Sequence, residues 1–173
     1  MNYNYLKSEK APKLLVEAYK LLGIKETLGK DNNPTILAWA EKLGLKNIYT
    51  ADEIAWCGLF VAYVCFMAGK KPVDNPLWAR NWANFGTKEN TAMLGDILVF
   101  SRGATSGHVG IYVGEDDKAY HVLGGNQGDQ VSIVRIQKVR CIGIRRTKWS
   151  VAQPSEVRVI KLNGEGLISE NEA

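Results

Sequence analysis

The hydrophobic pattern of this chain changes its period once, between residues 86 and 95, and this change constrains the fold more than any other sequence feature. Before it, apolar residues recur at helical spacing. After it, short β-branched runs alternate with glycine, aspartate and asparagine turns. Helices followed by strands are typical of an α+β domain with an antiparallel sheet.

Helices and strands can be assigned from the same pattern. Three helices are predicted at 12–22, 34–43 and 56–67, with a short helix or turn at 77–86, and five strands at 95–102, 108–115, 118–125, 130–137 and 140–147. An edge strand is possible at 154–162, followed by a frayed tail. We therefore expect one domain over residues 1–150, with its N-terminal helices packed on a sheet of five to six antiparallel strands. Residues 151–173 would form a C-terminal extension.

Cys57 and His108 carry the strongest chemical signal. Cys57 opens an apolar run predicted as a buried helix, and His108 opens a glycine-punctuated run predicted as a strand. A helix N-terminus and a nearby imidazolium both favour a thiolate, and such surroundings can bring a thiol pKa from about 8.5 to roughly 3.5–7.5. The pair favours a cysteine hydrolase with Cys57 as an ionised nucleophile and His108 as its general base.

The start of the central helix is ambiguous. Thr50 and Glu53 fit a capping box, which would start the helix at Thr50 and leave Cys57 about two turns inside it. The alternative keeps 50–55 as a loop and starts the helix at Trp56 or Cys57. The chemistry requires the second arrangement, because the helix dipole acts only near the terminus. We predict the second.

A general base needs a partner that orients its ring, and two candidates follow His108. His121 lies on the next predicted strand, and Asn126 lies in the turn LGGNQGD. Each also has an ordinary explanation, His121 as a strand residue and Asn126 as a turn former. A flat wall for a glycan or peptide could come from four tryptophans, although core packing explains them as well: Trp39, Trp56, Trp78 and Trp82.

Composition excludes several other functions. The net charge of +4 is too small, and the basic residues too scattered, to indicate a nucleic-acid binder. The two histidines have no HExxH spacing and the three cysteines no metal-ligand spacing, so neither metal nor cofactor is expected. Cys65 and Cys141 are interpreted as packing residues. No segment reaches the length of a membrane span, and no secretory signal is predicted.

Four sequence blocks carry a resemblance to a known family. In order, AWCGLFVAYV, LGDILVFSR, GHVGIYVG and YHVLGGNQ resemble the NlpC-type and CHAP (cysteine- and histidine-dependent amidohydrolase/peptidase) peptidoglycan hydrolases, and most closely small phage-type members with an LGGNQ segment. The resemblance covers residues 12–148. It implies a permuted papain-like core, with Cys57 as nucleophile and His108 as base.

The resemblance leaves the third catalytic residue open. NlpC-type enzymes place a histidine on the following strand, which matches His121, whereas CHAP enzymes place Glu or Asn later, which matches Asn126. We favour Asn126, which suits a Cys–His–Asn site. The resemblance also suggests that Glu26 lines the cleft. Trp56 and Trp82 are the tryptophans that we expect to bind substrate with it. An oxyanion hole is expected from the Cys57 N–H and a main-chain donor near Trp56.

The expected function is cleavage of a peptidoglycan amide bond by a monomer. The bond would lie in the stem peptide, in a cross-link, or between N-acetylmuramic acid and L-alanine. A non-catalytic wall-binding or partner-binding module and a thiol acyltransferase are the alternatives. Without a secretory signal, the protein would reach the periplasm or wall through a holin, as a phage endolysin does, or through a secretion system.

Overall fold

The architecture comes from a computed structural model that describes residues 3–10, 12–27, 29, 31–150 and 152–172. The α-helices are α1 (Lys13–Tyr19), α2 (Pro34–Lys42) and α3 (Cys57–Met67), and a 3-10 helix spans Ala79–Asn84. The strands are β1 (Thr87–Lys88), β2 (Ile97–Arg102), β3 (Ser106–Glu115), β4 (Ala119–Gly124), β5 (Ser132–Gln137), β6 (Cys141–Arg146) and β7 (Ile168–Ser169).

Seven strands form one sheet in the order β1-β6-β2-β3-β4-β5-β7. Consecutive strands β2 to β5 pair antiparallel, as short turns require, and β7 joins β5 in parallel. The expected α+β class is confirmed, with one or two more strands than predicted. The two extra strands, β1 and β7, contain two residues each, too few to produce an alternating hydrophobic pattern.

Helix α3 lies at the centre of the molecule and packs on β3, with α1 and α2 on its other sides. Its residues are apolar around almost the whole circumference, which is the pattern of a helix surrounded by other elements. Two hydrophobic clusters lie on opposite faces of the sheet. One includes Leu59, Phe60 and Val109, and the other includes Phe100 and Tyr112.

The C-terminal extension differs from the expected edge strand and frayed tail. The segment predicted as a strand makes one parallel bridge, between Lys161 and Glu115. The main chain of Ile160 also accepts a hydrogen bond from the Glu115 N–H. Further on, β7 pairs with β5 and Glu172 is 1% exposed. Residues 152–172 therefore pack on the same body as the rest of the chain.

Candidate active site

Helix α3 begins at Cys57, so the loop interpretation of residues 50–55 is confirmed and the capping box is wrong. Residues 51–54 instead form a turn, in which the Ile54 N–H bonds the Ala51 carbonyl over 3.3 Å. Asp52 fixes this turn, because its buried carboxylate accepts the N–H groups of Thr27 and Asn33 at 3.0 and 2.8 Å. These hydrogen bonds hold Asp52 in the turn and compete with an extension of α3 back towards Thr50.

The first turn of α3 leaves its N–H groups available. Trp56 is the N-cap residue, its side chain makes no capping hydrogen bond, and the turn contains no acidic residue. Unpaired N–H groups at a helix N-terminus favour a bound negative charge. Cys57 lies at the first helical position, where this effect is strongest.

Trp56 anchors this helix start from within the protein. Its ring is fully buried, and its indole N–H donates to Glu26 over 2.5 Å. A Cβ added to Gly125 would lie 2.5 Å from the Trp56 ring, so only glycine permits this close approach. Burial raises the pKa of Glu26, and the Trp56 hydrogen bond opposes that rise.

His108 is the third residue of β3 and is 1% exposed. Its Nε2 lies 3.0 Å from Oε1 of Gln127. The Gln127 amide nitrogen donates to the carbonyls of Val122 and Ser132, at 3.2 and 2.6 Å. Because both amide protons face carbonyls, Oε1 must face the imidazole and accept from it. Neutral His108 then carries its proton on Nε2, and Nδ1 has the free lone pair.

The backbone around Gln127 permits this contact. A side chain on Gly124 would meet Gln127 Oε1 at 2.7 Å and His108 Nε2 at 3.2 Å, so glycine leaves the space in which the amide and the ring meet. The Ser132 hydroxyl also donates to the Gln127 carbonyl over 3.0 Å. The amide is therefore held rigidly against the ring.

Asn126 and His121 do not hold His108. Asn126 has a left-handed φ of 54°, and its side chain forms no hydrogen bond with the residues that the structure describes. His121 is opposite Gly114, six residues along β3 from His108, which is about 20 Å at about 3.3 Å per residue. Its ring nitrogens bond Asp116 and the Tyr3 hydroxyl, each at 2.9 Å. The expectation that either residue orients His108 is corrected in favour of Gln127.

Gln127 directly follows the expected Asn126, and the strand register explains why this turn lies near His108. In the β3–β4 pairing, Ile111 is opposite Leu123, so continuing the register brings residues just after Gly124 towards His108. Two adjacent amides in a turn cannot be told apart by spacing, because the turn geometry decides which side chain faces the strand.

Burial works against the expected Cys57 thiolate. Burial raises the pKa of the Cys57 thiol, and nearby backbone N–H groups, with that of Val109 the largest, oppose the rise without cancelling it. Burial also lowers the pKa of His108 to about 4. No hydrogen bond joins the Cys57 sulfur to the imidazole. For both groups, burial acts against the charged form.

Most of the proposed tryptophan wall belongs to the core. Trp39 is 2% exposed and Trp56 and Trp82 are fully buried, with the Trp82 indole N–H bonded to the Pro76 carbonyl at 2.9 Å. The expected roles of Trp56 and Trp82 as substrate-contacting faces are therefore wrong for this structure. Trp78 is 67% exposed and offers a free face.

A cleft of about 640 Å³ lies near the starts of α3 and β3. Its lining includes Ala55 and Gly107, which precede Trp56 and His108 in the chain, together with Arg102 and Arg140. The described residues contain no group of three or more metal-ligating side chains. None of the helices described is long and apolar enough to cross a bilayer.

Part of the chain matches a known protein family. Residues 49–126 match the family model described as the CHAP domain, and the match includes Cys57 and His108. No curated protein sequence matches the chain significantly. Gln127 lies one residue beyond the matched region.

Proposed function

Because residues 49–126 form a CHAP domain, of a family of peptidoglycan hydrolases and amidases, we propose that this chain cleaves an amide bond of peptidoglycan with Cys57 and His108. The observation that supports this most is the His108–Gln127 hydrogen bond, which leaves Nδ1 free to act as a base on the strand that packs against the Cys57 helix. Gln127 is the positioning residue of this site.

The reaction begins from a neutral thiol and a neutral imidazole. As the sulfur attacks the amide carbonyl, its proton passes to Nδ1 of His108, and the carbonyl oxygen becomes an oxyanion. The N–H groups at the start of α3, beginning with Cys57, donate to that oxyanion. Gln127 Oε1 accepts from Nε2–H throughout and stabilises the imidazolium.

Collapse of the tetrahedral intermediate breaks the carbon–nitrogen bond. Imidazolium Nδ1 gives its proton to the departing amine, and a thioester remains on Cys57. Water then attacks the thioester while Nδ1 takes its proton, and the thiol is restored as the acid product leaves. An amine in place of water would give acyl transfer.

The test compares the parent with Cys57→Ala and His108→Ala on purified cell walls. Wall lysis is measured by the loss of turbidity, and the released products are identified by mass spectrometry. Both variants should lose activity by 10³-fold or more, on the order of losses seen for catalytic nucleophiles and bases. Cys65→Ala is the matched control, since Cys65 lies on the same helix and is fully buried. It should retain activity at temperatures where it is folded.

Other outcomes identify the alternatives. Undiminished lysis by Cys57→Ala would refute the thiol mechanism. Sedimentation with walls but no released product would indicate a binding module. Products joined to an added amine would indicate an acyltransferase. The products also identify the bond that is cut, and the route to the wall, through a holin or a secretion system, stays a prediction.

A further inference from the structure

Residues 168–172, here called the tail segment, run from the sheet edge to the candidate active site. Ile168 and Ser169 pair with β5, and the Glu172 carbonyl accepts the N–H of Gly128 at 3.0 Å. Gly128 follows Gln127, so the tail segment ends beside the turn that holds His108. Glu170 and Asn171 line the same cleft as Ala55 and Gly107.

The Glu172 side chain is fully buried and faces two arginines. Both carboxylate oxygens accept hydrogen bonds from Arg140, each at 2.8 Å, in a bidentate pair. Arg102 Nε lies 3.9 Å from the second oxygen, and an Arg102 terminal nitrogen also donates to Asn171. Arg140 is held in turn, because its Nε donates to the Ser101 carbonyl over 3.3 Å.

The carboxylate is also close to the catalytic histidine. After burial, the charge of Glu172 is the largest influence on the pKa of His108, which it raises. Burial alone would raise the pKa of Glu172, but the hydrogen bonds from Arg140, and then the charge interaction with His108, keep it below its usual value. The site thus holds a charged carboxylate within electrostatic reach of His108.

Two guanidinium groups fixed in a cleft form a carboxylate receptor, because their planar donors match a carboxylate in a bidentate fashion. We propose that Arg102 and Arg140 bind a carboxylate of the peptide stem, and that Glu172 occupies this subsite as an internal substitute until substrate displaces it. This assignment rests on the proposed function above. The tail segment also contributes Glu170 and Asn171 to the lining of this cleft.

The test uses two alkylating reagents of similar size that differ in charge. Iodoacetate carries a carboxylate and iodoacetamide does not, and in both cases the Cys57 sulfur forms a bond to carbon as iodide leaves. The measured quantity is the ratio of their rates at Cys57, located by peptide mass spectrometry. This rate ratio does not depend on wall lysis. A negative result for the carboxylate subsite can therefore be told apart from a negative result for the proposed function.

Glu172→Gln should raise the iodoacetate-to-iodoacetamide ratio about tenfold, as expected for one charge-assisted hydrogen-bonded pair. Glu170→Gln is the matched control, because Glu170 lines the same cleft and is exposed, and its ratio should stay within about twofold of the parent. Glu172→Gln combined with Arg140→Gln should lose the gain. Labelling of the fully buried Cys65 reports unfolding, so rates are taken before it appears.

Two results would overturn the proposal. The ratio could stay unchanged in Glu172→Gln, and equal acceleration of both reagents would then make the tail segment a cover without carboxylate recognition. The ratio could also rise equally in Glu170→Gln. A second measurement compares soluble stem peptides carrying a free carboxylate with their carboxamides. Glu172→Gln should lower KM for the free acids alone, and a KM equally lowered for the amides would also contradict the subsite.

Discussion

Replacing Gln127 by leucine tests whether this residue, rather than Asn126, positions the catalytic histidine. Leucine keeps the approximate volume but removes three hydrogen bonds, to His108 and to the carbonyls of Val122 and Ser132. At about 1 kcal/mol for each bond, the free energy of unfolding should fall by roughly 3 kcal/mol. The variant should remain folded at low temperature, where activity is measured.

The loss of activity should exceed the value of one hydrogen bond. A bond worth about 1 kcal/mol would cost only about fivefold in rate. The same bond also sets the proton on Nε2 and the direction of Nδ1, and a misplaced catalytic group costs on the order of 100-fold. We expect kcat on purified peptidoglycan to fall about 100-fold with little change in KM, because Gln127 touches the base and not the substrate.

Asn126→Gly is the matched control. Glycine accepts the φ of 54° at this position and removes the amide, so activity should stay within about threefold of the parent. Nitrogen-15 NMR of the imidazole should show the proton on Nε2 in the parent and in Asn126→Gly, and a tautomer mixture in Gln127→Leu. A large loss in Asn126→Gly with near-normal Gln127→Leu would refute the assignment and restore Asn126.

Three further predictions concern stability. The pKa of His108 falls from 6.5 to about 4 on folding, so the unfolded chain binds more protons between these pH values. The free energy of unfolding should therefore decrease by roughly 3 kcal/mol as the pH falls from 6.5 to about 4. Urea titrations of His108→Gln should show a smaller decrease of the free energy of unfolding over this pH range than in the parent. An equal decrease would contradict the burial argument. Gly125→Ala should cost about 1–3 kcal/mol by overpacking, since its Cβ would meet Trp56 at 2.5 Å and Phe60 at 2.7 Å. Gly143→Ala, with its nearest contact at 3.6 Å, should be near neutral in the same thermal melts. Asp96→Asn should lower the free energy of unfolding by about 3 kcal/mol, because buried Arg146 loses the carboxylate bonded to it at 2.7 and 2.8 Å and keeps only Glu89, at 3.3 Å. A change below about 1 kcal/mol in urea denaturation would show that water replaces the carboxylate.

The sequence alone determined the class of the fold and singled out Cys57 and His108 as candidate catalytic residues. Hydrophobic periodicity is a local property, so α2 and the strands β2 to β6 were predicted within a few residues. Cys57 and His108 were found because each lies at the start of a distinct apolar run. Residues 49–126, which contain both, match the CHAP domain.

Tertiary structure decided which residue contacts His108 and how burial acts on the Cys57 thiol. Asn126 and Gln127 are neighbours in one turn, and only the backbone path of that turn sets which amide meets His108. Glu172 and Arg140 are 32 positions apart, so no local pattern could pair them. Ionisation depends on the water that packing removes, and the chain sequence does not encode that quantity locally.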